Sequence, residues 1–220
     1  MITPSDEDYQ QTKRLKRTGA PLESPFKETA DWIAAEYGVR VLNVLYDIVA
    51  PNDIPRLSVI LEMQEEALKF QHGEFGGFNK EDQKRVQERF ESILNRQGDR
   101  RYTAEGLFVV FASFERVARI EANESVTGDD LKQLKANLGN PDLWEISRLF
   151  DSVTFFFYTD AQAKLHEAAG LRDAYAREYA RLVLPHDEFG YIRRRAVPAY
   201  FDSKGNFDTN YEGNWYYYYK

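Results

Sequence analysis

Apolar residues along this chain follow two rhythms that alternate from one end to the other. Phe26, Ala30, Ile33, Ala34 and Tyr37 fall at helical spacing after Ser24-Pro25, a cap residue followed by a proline suited to the first helical position, and Gly38 is the natural stop. Val39 to Val49 and Leu57 to Glu62 are instead rich in β-branched and aliphatic residues, and the proline-bounded segment 50–55 between them is turn chemistry, so two strands are predicted. In the first strand both alternating sets are mostly apolar, Val39, Val41 and Leu45 against Leu42, Val44 and Tyr46, which predicts cover on both faces and a central place in the sheet. A helical pattern then runs from Glu62 to Phe70 and a glycine-rich loop occupies 71–78. Asn79 with Asp82 caps an amphipathic helix carrying Val86, Phe90, Ile93 and Leu94.

The theme recurs after the loop at 95–101. Leu107 to Ala112 reads as another two-faced strand, with Ser113 placed to cap a helix bearing Phe114 and Val117. A helix from about Thr127 ends at Gly139-Asn140-Pro141, and a shorter helix is predicted on Leu143, Trp144, Ile146 and Leu149. Val153 to Tyr158 is a buried strand, and Thr159-Asp160 opens a long helical stretch to about Leu184, broken near Gly170. The tail changes character: residues 197–207 read as a hairpin, and Trp215 with Tyr216 to Tyr219 as a final aromatic strand.

These elements predict an α+β protein, with mixed α/β as its neighbour class: helices packed on a mixed central sheet, in two similarly patterned halves, closed by a C-terminal β-hairpin and an aromatic strand. Residues 1–24 are an expected N-terminal arm and 25–220 one globular domain, with sub-halves at 25–101 and 102–220.

Composition narrows the function classes. Zero cysteines exclude disulfides, thiolate zinc sites and cysteine nucleophiles, and fit a reducing, cytoplasmic location. A net charge of -7 gives no global attraction to phosphate backbones or anionic lipid, so nucleic acid is not an expected partner. No run approaches the roughly 20 apolar residues of a membrane span, and the start of the chain, acidic at Asp6 to Asp8, is not expected to be a signal peptide or anchor.

Candidate chemistry is sparse, and no cofactor is expected. The glycine-rich loop lacks a Walker lysine pair and a dinucleotide spacing. With three histidines, acid-base or metal chemistry falls to His72, His166 or His186, each with an acidic neighbour but none in a two-histidine metal pattern. His186, Asp187 and Glu188 are the catalytic candidates, a carboxylate beside an imidazole being able to orient a general base. His72 and Glu74 are the metal candidates. Ser113 lacks the flanking glycines of a nucleophile elbow. Basic clusters at Lys13 to Arg17, Arg96 to Arg101 and Arg193 to Arg195 suit bidentate pairing with acidic groups. Arg193, Arg194, Trp215 and Tyr217 are therefore the binding candidates, with 15 Phe and 14 Tyr supplying contact area at modest entropic cost.

The sequence itself states no function. The expectation it supports is a non-catalytic intracellular binding or protein-interaction protein, using the aromatic C-terminal strand for a protein partner or for self-association. The alternative is an enzyme or small-ligand-binding protein whose pocket draws on histidine, carboxylate and arginine groups.

Overall fold

Strand and helix alternate through two successive rounds in the computed structural model, which describes residues 2–72 and 77–220. The described residues are α+β, and their backbone contacts gather into two units, Met1–Val117 and Ala118–Lys220.

In the first unit α1 (Glu7–Thr18) and α2 (Phe26–Tyr37) precede the antiparallel pair β1 (Val41–Val49) and β2 (Ile54–Leu61). A short α3 (Gln64–Leu68), the small ladder β3 (Gln71–His72) with β4 (Gly77–Phe78), and α4 (Lys80–Gln97) then carry the chain to β5 (Phe108–Ser113). That strand lies parallel to β2, and α5 (Phe114–Glu124) follows it. Sheet order is β1-β2-β5. One sheet face packs Leu57, Val59 and Phe111 against Ile33 of α2 and Phe90 of α4, and Phe70 stacks flat on Phe111 with ring centroids 4.0 Å apart. The other face receives α1, where the Asn43 amide donates to Thr12 Oγ1 (3.1 Å) and Tyr9, fully buried, stacks on Phe114.

The second unit follows the same course. After α6 (Gly128–Leu138) come the antiparallel β6 (Leu143–Leu149) and β7 (Ser152–Phe157), the helices α7 (Asp160–Ala168) and α8 (Leu171–Val183), and the four-residue α9 (Tyr191–Arg194). β8 (Ala199–Ser203) then pairs parallel to β7, giving the order β6-β7-β8, and α10 (Lys204–Tyr211) and α11 (Trp215–Tyr218) close the chain. Phe155, Phe157 and Phe201 meet Tyr175 and Tyr179 of α8 on one face. Phe156 and Trp144 meet Phe207, Trp215 and Tyr218 on the other.

The likeness of the two units extends to single residues. Each first strand has a register irregularity at its start, between Val41 and Asn43 in β1 and between Leu143 and Glu145 in β6. Each central strand ends opposite a serine, Leu61 beside Ser113 and Phe157 beside Ser203. Each serine then caps the helix that follows, Ser113 Oγ accepting from the Arg116 N–H (3.2 Å) and Ser203 Oγ from the Asn206 N–H (2.8 Å).

Several expectations are corrected. β1 is an edge strand and β2 the central one; apart from the buried Val44 and the exposed Ile48, the apolar residues of β1 are half-buried, because α1 and α2 cover them without a second neighbouring strand. The segment predicted as a helix on Leu143 to Leu149 is β6, its apolar spacing serving a strand with a bulge at Trp144. The repeat is also phased differently: Leu107 to Ala112 is not a second first strand but the third strand of its own sheet. Ser24 does not cap α2; its hydroxyl donates to the Glu28 carboxylate (2.9 Å). The predicted C-terminal hairpin and aromatic final strand do not form: after β8 the chain turns helical at the Ser203 cap, and the aromatic tail coils as α11 so that Trp215, Tyr218 and Tyr219 all reach one sheet face, which an alternating strand does not allow. The Gly170 break, by contrast, is present, with that residue left-handed between α7 and α8.

Two buried polar residues of α5 organise the second unit. Asn123 donates to the carbonyls of Phe150 (2.8 Å) and Ser152 (3.1 Å) and accepts from the Tyr179 hydroxyl (2.6 Å), holding a hairpin whose tip, Phe150, is left-handed at φ 51°. Arg119, 1% exposed, pairs with Asp151 (3.2 Å) and donates to the carbonyls of Tyr191, Arg195 and Ala196. Arg119→Ala leaves a partly buried carboxylate and the carbonyls of Arg195 and Ala196 without this donor. We expect it to lower unfolding stability by roughly 3–5 kcal/mol, measured by urea denaturation, with the exposed Lys132→Ala as a control that leaves the midpoint essentially unmoved. A loss below about 1 kcal/mol for Arg119→Ala would contradict this role.

Candidate functional site

The catalytic and metal candidates that the structure describes fall in different units. His72 is exposed on β3 in the first unit, and Glu74 lies outside the described residues. His186 and Glu188 are exposed in the second unit, beyond the end of α8. Asp187 between them is used by the backbone: its carboxylate accepts from the N–H groups of Tyr191 (2.8 Å), Ile192 (3.0 Å) and Arg193 (3.2 Å), capping α9. Arg193 and Arg194 are exposed on that same short helix. No group of three or more metal-ligating side chains is present among the described residues, and no helix among them is long and apolar enough to cross a membrane.

Among the described residues His166 lies within ion-pair distance of a carboxylate, and the partner is Asp142 rather than its chain neighbour Glu167. His166 Nε2 lies 3.0 Å from Asp142 Oδ2, while the ring stacks on Phe157 with centroids 4.6 Å apart. Gln162 Nε2 donates to the other Asp142 oxygen (2.7 Å), the Asp142 N–H to Asn140 Oδ1 (2.9 Å), and the Asn140 amide to the Tyr175 hydroxyl (2.8 Å). These groups satisfy one another and fasten the turn before β6; no serine or lysine is among them to act as a nucleophile. In the sequence Asn140-Pro141 reads only as a helix stop, and nothing local links Asp142 to a residue 24 positions on.

A more open arrangement lies along β8. A groove of about 530 Å³ runs between that strand and α7, with Ala163 and Phe201 among its apolar surfaces and Tyr200 half exposed over it. At the end of β8, Asp202 accepts from the Ser203 N–H (2.7 Å), the Asn206 amide (2.9 Å) and the Tyr218 hydroxyl (2.5 Å). Asp160 of α7 accepts a hydrogen bond from Ser203 Oγ. A Cβ at Gly205 would stand 3.5 Å from Asp160 Oδ1, an ordinary van der Waals contact, so this approach does not depend on glycine.

Beside the groove, α10 and α11 build an aromatic layer. Trp215 stacks nearly parallel on Trp144 (6.1 Å, 4°) and on Tyr219 (5.8 Å, 16°), Phe207 fills the centre, and Tyr219 donates to Ser147 Oγ (2.6 Å). Lys204 Nζ sits over the Trp144 ring at 5.3 Å. The layer is packed on its inner side only: Trp215 is 37%, Tyr217 47% and Tyr216 66% exposed. Trp215 and Tyr217, two of the binding candidates, thus share one helix, while Arg193 and Arg194 lie on another.

Burial, reinforced by the hydrogen bond to the Asp202 carboxylate, holds the Tyr218 phenol well above its ordinary value of 10.0. The folded value being the raised one, this stabilisation is complete below pH 10 and declines as the pH rises beyond it, where the unfolded chain releases the proton first. The stability difference between the unaltered chain and Tyr218→Phe, read from urea midpoints, should therefore be constant up to about pH 9.5 and shrink above about pH 10; a difference that stays constant to about pH 11.5 would show that the tyrosine is not held in this way. Compared with protein-family models, curated proteins and solved structures, the chain matches none.

Proposed function

We propose that this chain is a non-catalytic intracellular binding protein, whose contact surface is the aromatic face formed by α11. The observation that carries the reading is the half-packed layer itself. Trp215 is fixed from below by Trp144 and Tyr219, so that its ring and the neighbouring Tyr216 and Tyr217 present a rigid apolar area to solvent. Trp and Tyr held in this manner contribute contact area with little further loss of side-chain entropy, and they dominate binding energy in protein interfaces. Lys220, whose ammonium lies 5.7 Å from the Tyr216 ring, together with exposed Asp208 and Glu212, supplies the polar surroundings such a patch has at its rim. The absence of cysteine fits a reducing interior.

The small-ligand reading keeps one specific support, the groove along β8, whose size is in the usual range for ligand sites. Its lining includes Asp160, Asp202, Glu167 and Arg172 but no histidine. Of the three histidines one belongs to the first unit and two to the second, each in a different local setting.

With the chain as bait in extract from its native host, the binding reading expects a reproducible protein partner. Tyr216→Ala with Tyr217→Ala, both solvent-facing, should reduce its capture at least about tenfold while leaving the melting temperature within a few degrees; Trp215→Ala should abolish capture. Undiminished capture by these variants, or stabilisation by a metabolite with no partner captured, would refute it.

A further inference from the structure

The groove along β8 has a twin. In the first unit a smaller groove, about 330 Å³, lies between β5 and α3 at the equivalent place. The matching registers that set Leu61 beside Ser113 and Phe157 beside Ser203 also match the grooves' apolar surfaces, Ala67 with Ala163 and Phe111 with Phe201. What differs is charge. Where the second unit has Asp160, Glu167 and Asp202, the first has Gln64, Gln71 and Ala112. The first unit nevertheless builds the same strand-to-helix junction on its capping serine. The three carboxylates are therefore not a requirement of this architecture, although Asp202 has the added task of holding Tyr218.

Their charge is also incompletely answered. Arg172 is engaged by Glu167 at 3.0 Å, and Lys164 is the other cation of the lining. Among the described residues neither Asp160 nor Asp202 has a cationic partner within ion-pair distance. The groove borders β8, a five-residue strand paired on one side only in the sheet of described residues; by its register the N–H and C=O groups of Ala199 and Phe201 point away from β7, while the outward Ser203 N–H is held by Asp202 Oδ1.

We propose that this groove takes an extended basic peptide segment, which adds as a strand to the free edge of β8, lays alternate side chains against Phe201 and Tyr200, and sets an arginine or lysine head beside Asp160 and Asp202. Backbone pairing gives the affinity and the carboxylates select the charge, the usual division in strand addition. The inference rests on the chain being a binding protein but not on the α11 face, and the two are tested by different substitutions.

The probe is a fluorescein-labelled nonapeptide alternating arginine with valine, followed by fluorescence polarisation on the full chain. Controls are the same peptide with glutamate for arginine, and one N-methylated along one backbone edge. Saturable binding of the arginine peptide is expected, weakened by salt, absent for the glutamate peptide, and lowered at least about tenfold by N-methylation. Asp160→Asn with Asp202→Asn should weaken it about tenfold. Because Asp202 also holds Tyr218, the pair Glu167→Gln and Tyr200→Ala, both at exposed positions, provides a variant that leaves that anchor intact and should weaken binding at least about threefold. Gln64→Ala with Gln71→Ala, in the twin groove, should leave it within about twofold. No saturable binding by the unaltered chain, equal binding of the glutamate peptide or of the N-methylated one, or binding that both second-unit variants leave unchanged would overturn the proposal. Loss of partner capture in the Tyr216 and Tyr217 variants with this peptide still bound would leave the groove assignment standing on its own.

Discussion

A parallel pairing between the second strand of a hairpin and a third strand is the constraint on which both units depend. Two antiparallel strands need only a tight turn, but the parallel partner must begin at the sheet end where the second strand began, so the chain has to travel back along the sheet before it can pair. In the first unit α3 and α4 make that return between Leu61 and Phe108; in the second, α7, α8 and α9 make it between Phe157 and Ala199. The returning helices cover one face, and they leave the third strand at the edge with a helix alongside it. A groove beside that strand is the geometric result, which is why one occurs in each unit whatever residues line it.

The opposite sheet face is covered in two different ways. The first unit uses α1, with a buried Tyr9 and the Asn43 to Thr12 hydrogen bond; the second uses the chain's last two helices and a layer of indole and phenol rings. Aromatic rings are well suited to the second case, since a short helix such as α11 has few residues with which to bury area and each ring brings a large surface. Their hydroxyls then need partners, which Asp202 and Ser147 provide. The same side chains that fasten the tail leave their neighbours Tyr216 and Tyr217 on the outside, so attachment and display come from one helix turn.

Much of the fold was legible because its signals are local. Thr159 and Ser113 as caps, Asn79 before α4, the buried run at Val153 to Phe157 and the break at Gly170 all follow from neighbours within a few positions. The errors have a common origin as well. Leu143, Trp144, Ile146 and Leu149 satisfy a helical spacing because a bulge shifts the strand's alternation by one, and the tail's consecutive aromatics read as a strand because β-propensity measures fit to a pleated surface, not the cover available. The site was less legible than the fold. Asp142 with His166, and Asp160 with Ser203, join residues 24 and 43 positions apart, and only the register of two sheets shows that Asp202 and Ala112 occupy the same place.

The stacked pair Trp144 and Trp215 has an optical consequence. Two indoles 6.1 Å apart are close enough to pass excitation between them, so light absorbed by one is re-emitted from either, and the emission carries a record of whether the chain's last helix is seated on the sheet. Trp32, the remaining tryptophan, belongs to the first unit and lies in a different setting, with Arg89 and Tyr37 for neighbours. The protein thus contains, without any added label, one tryptophan to report on its first unit and a coupled pair for its second.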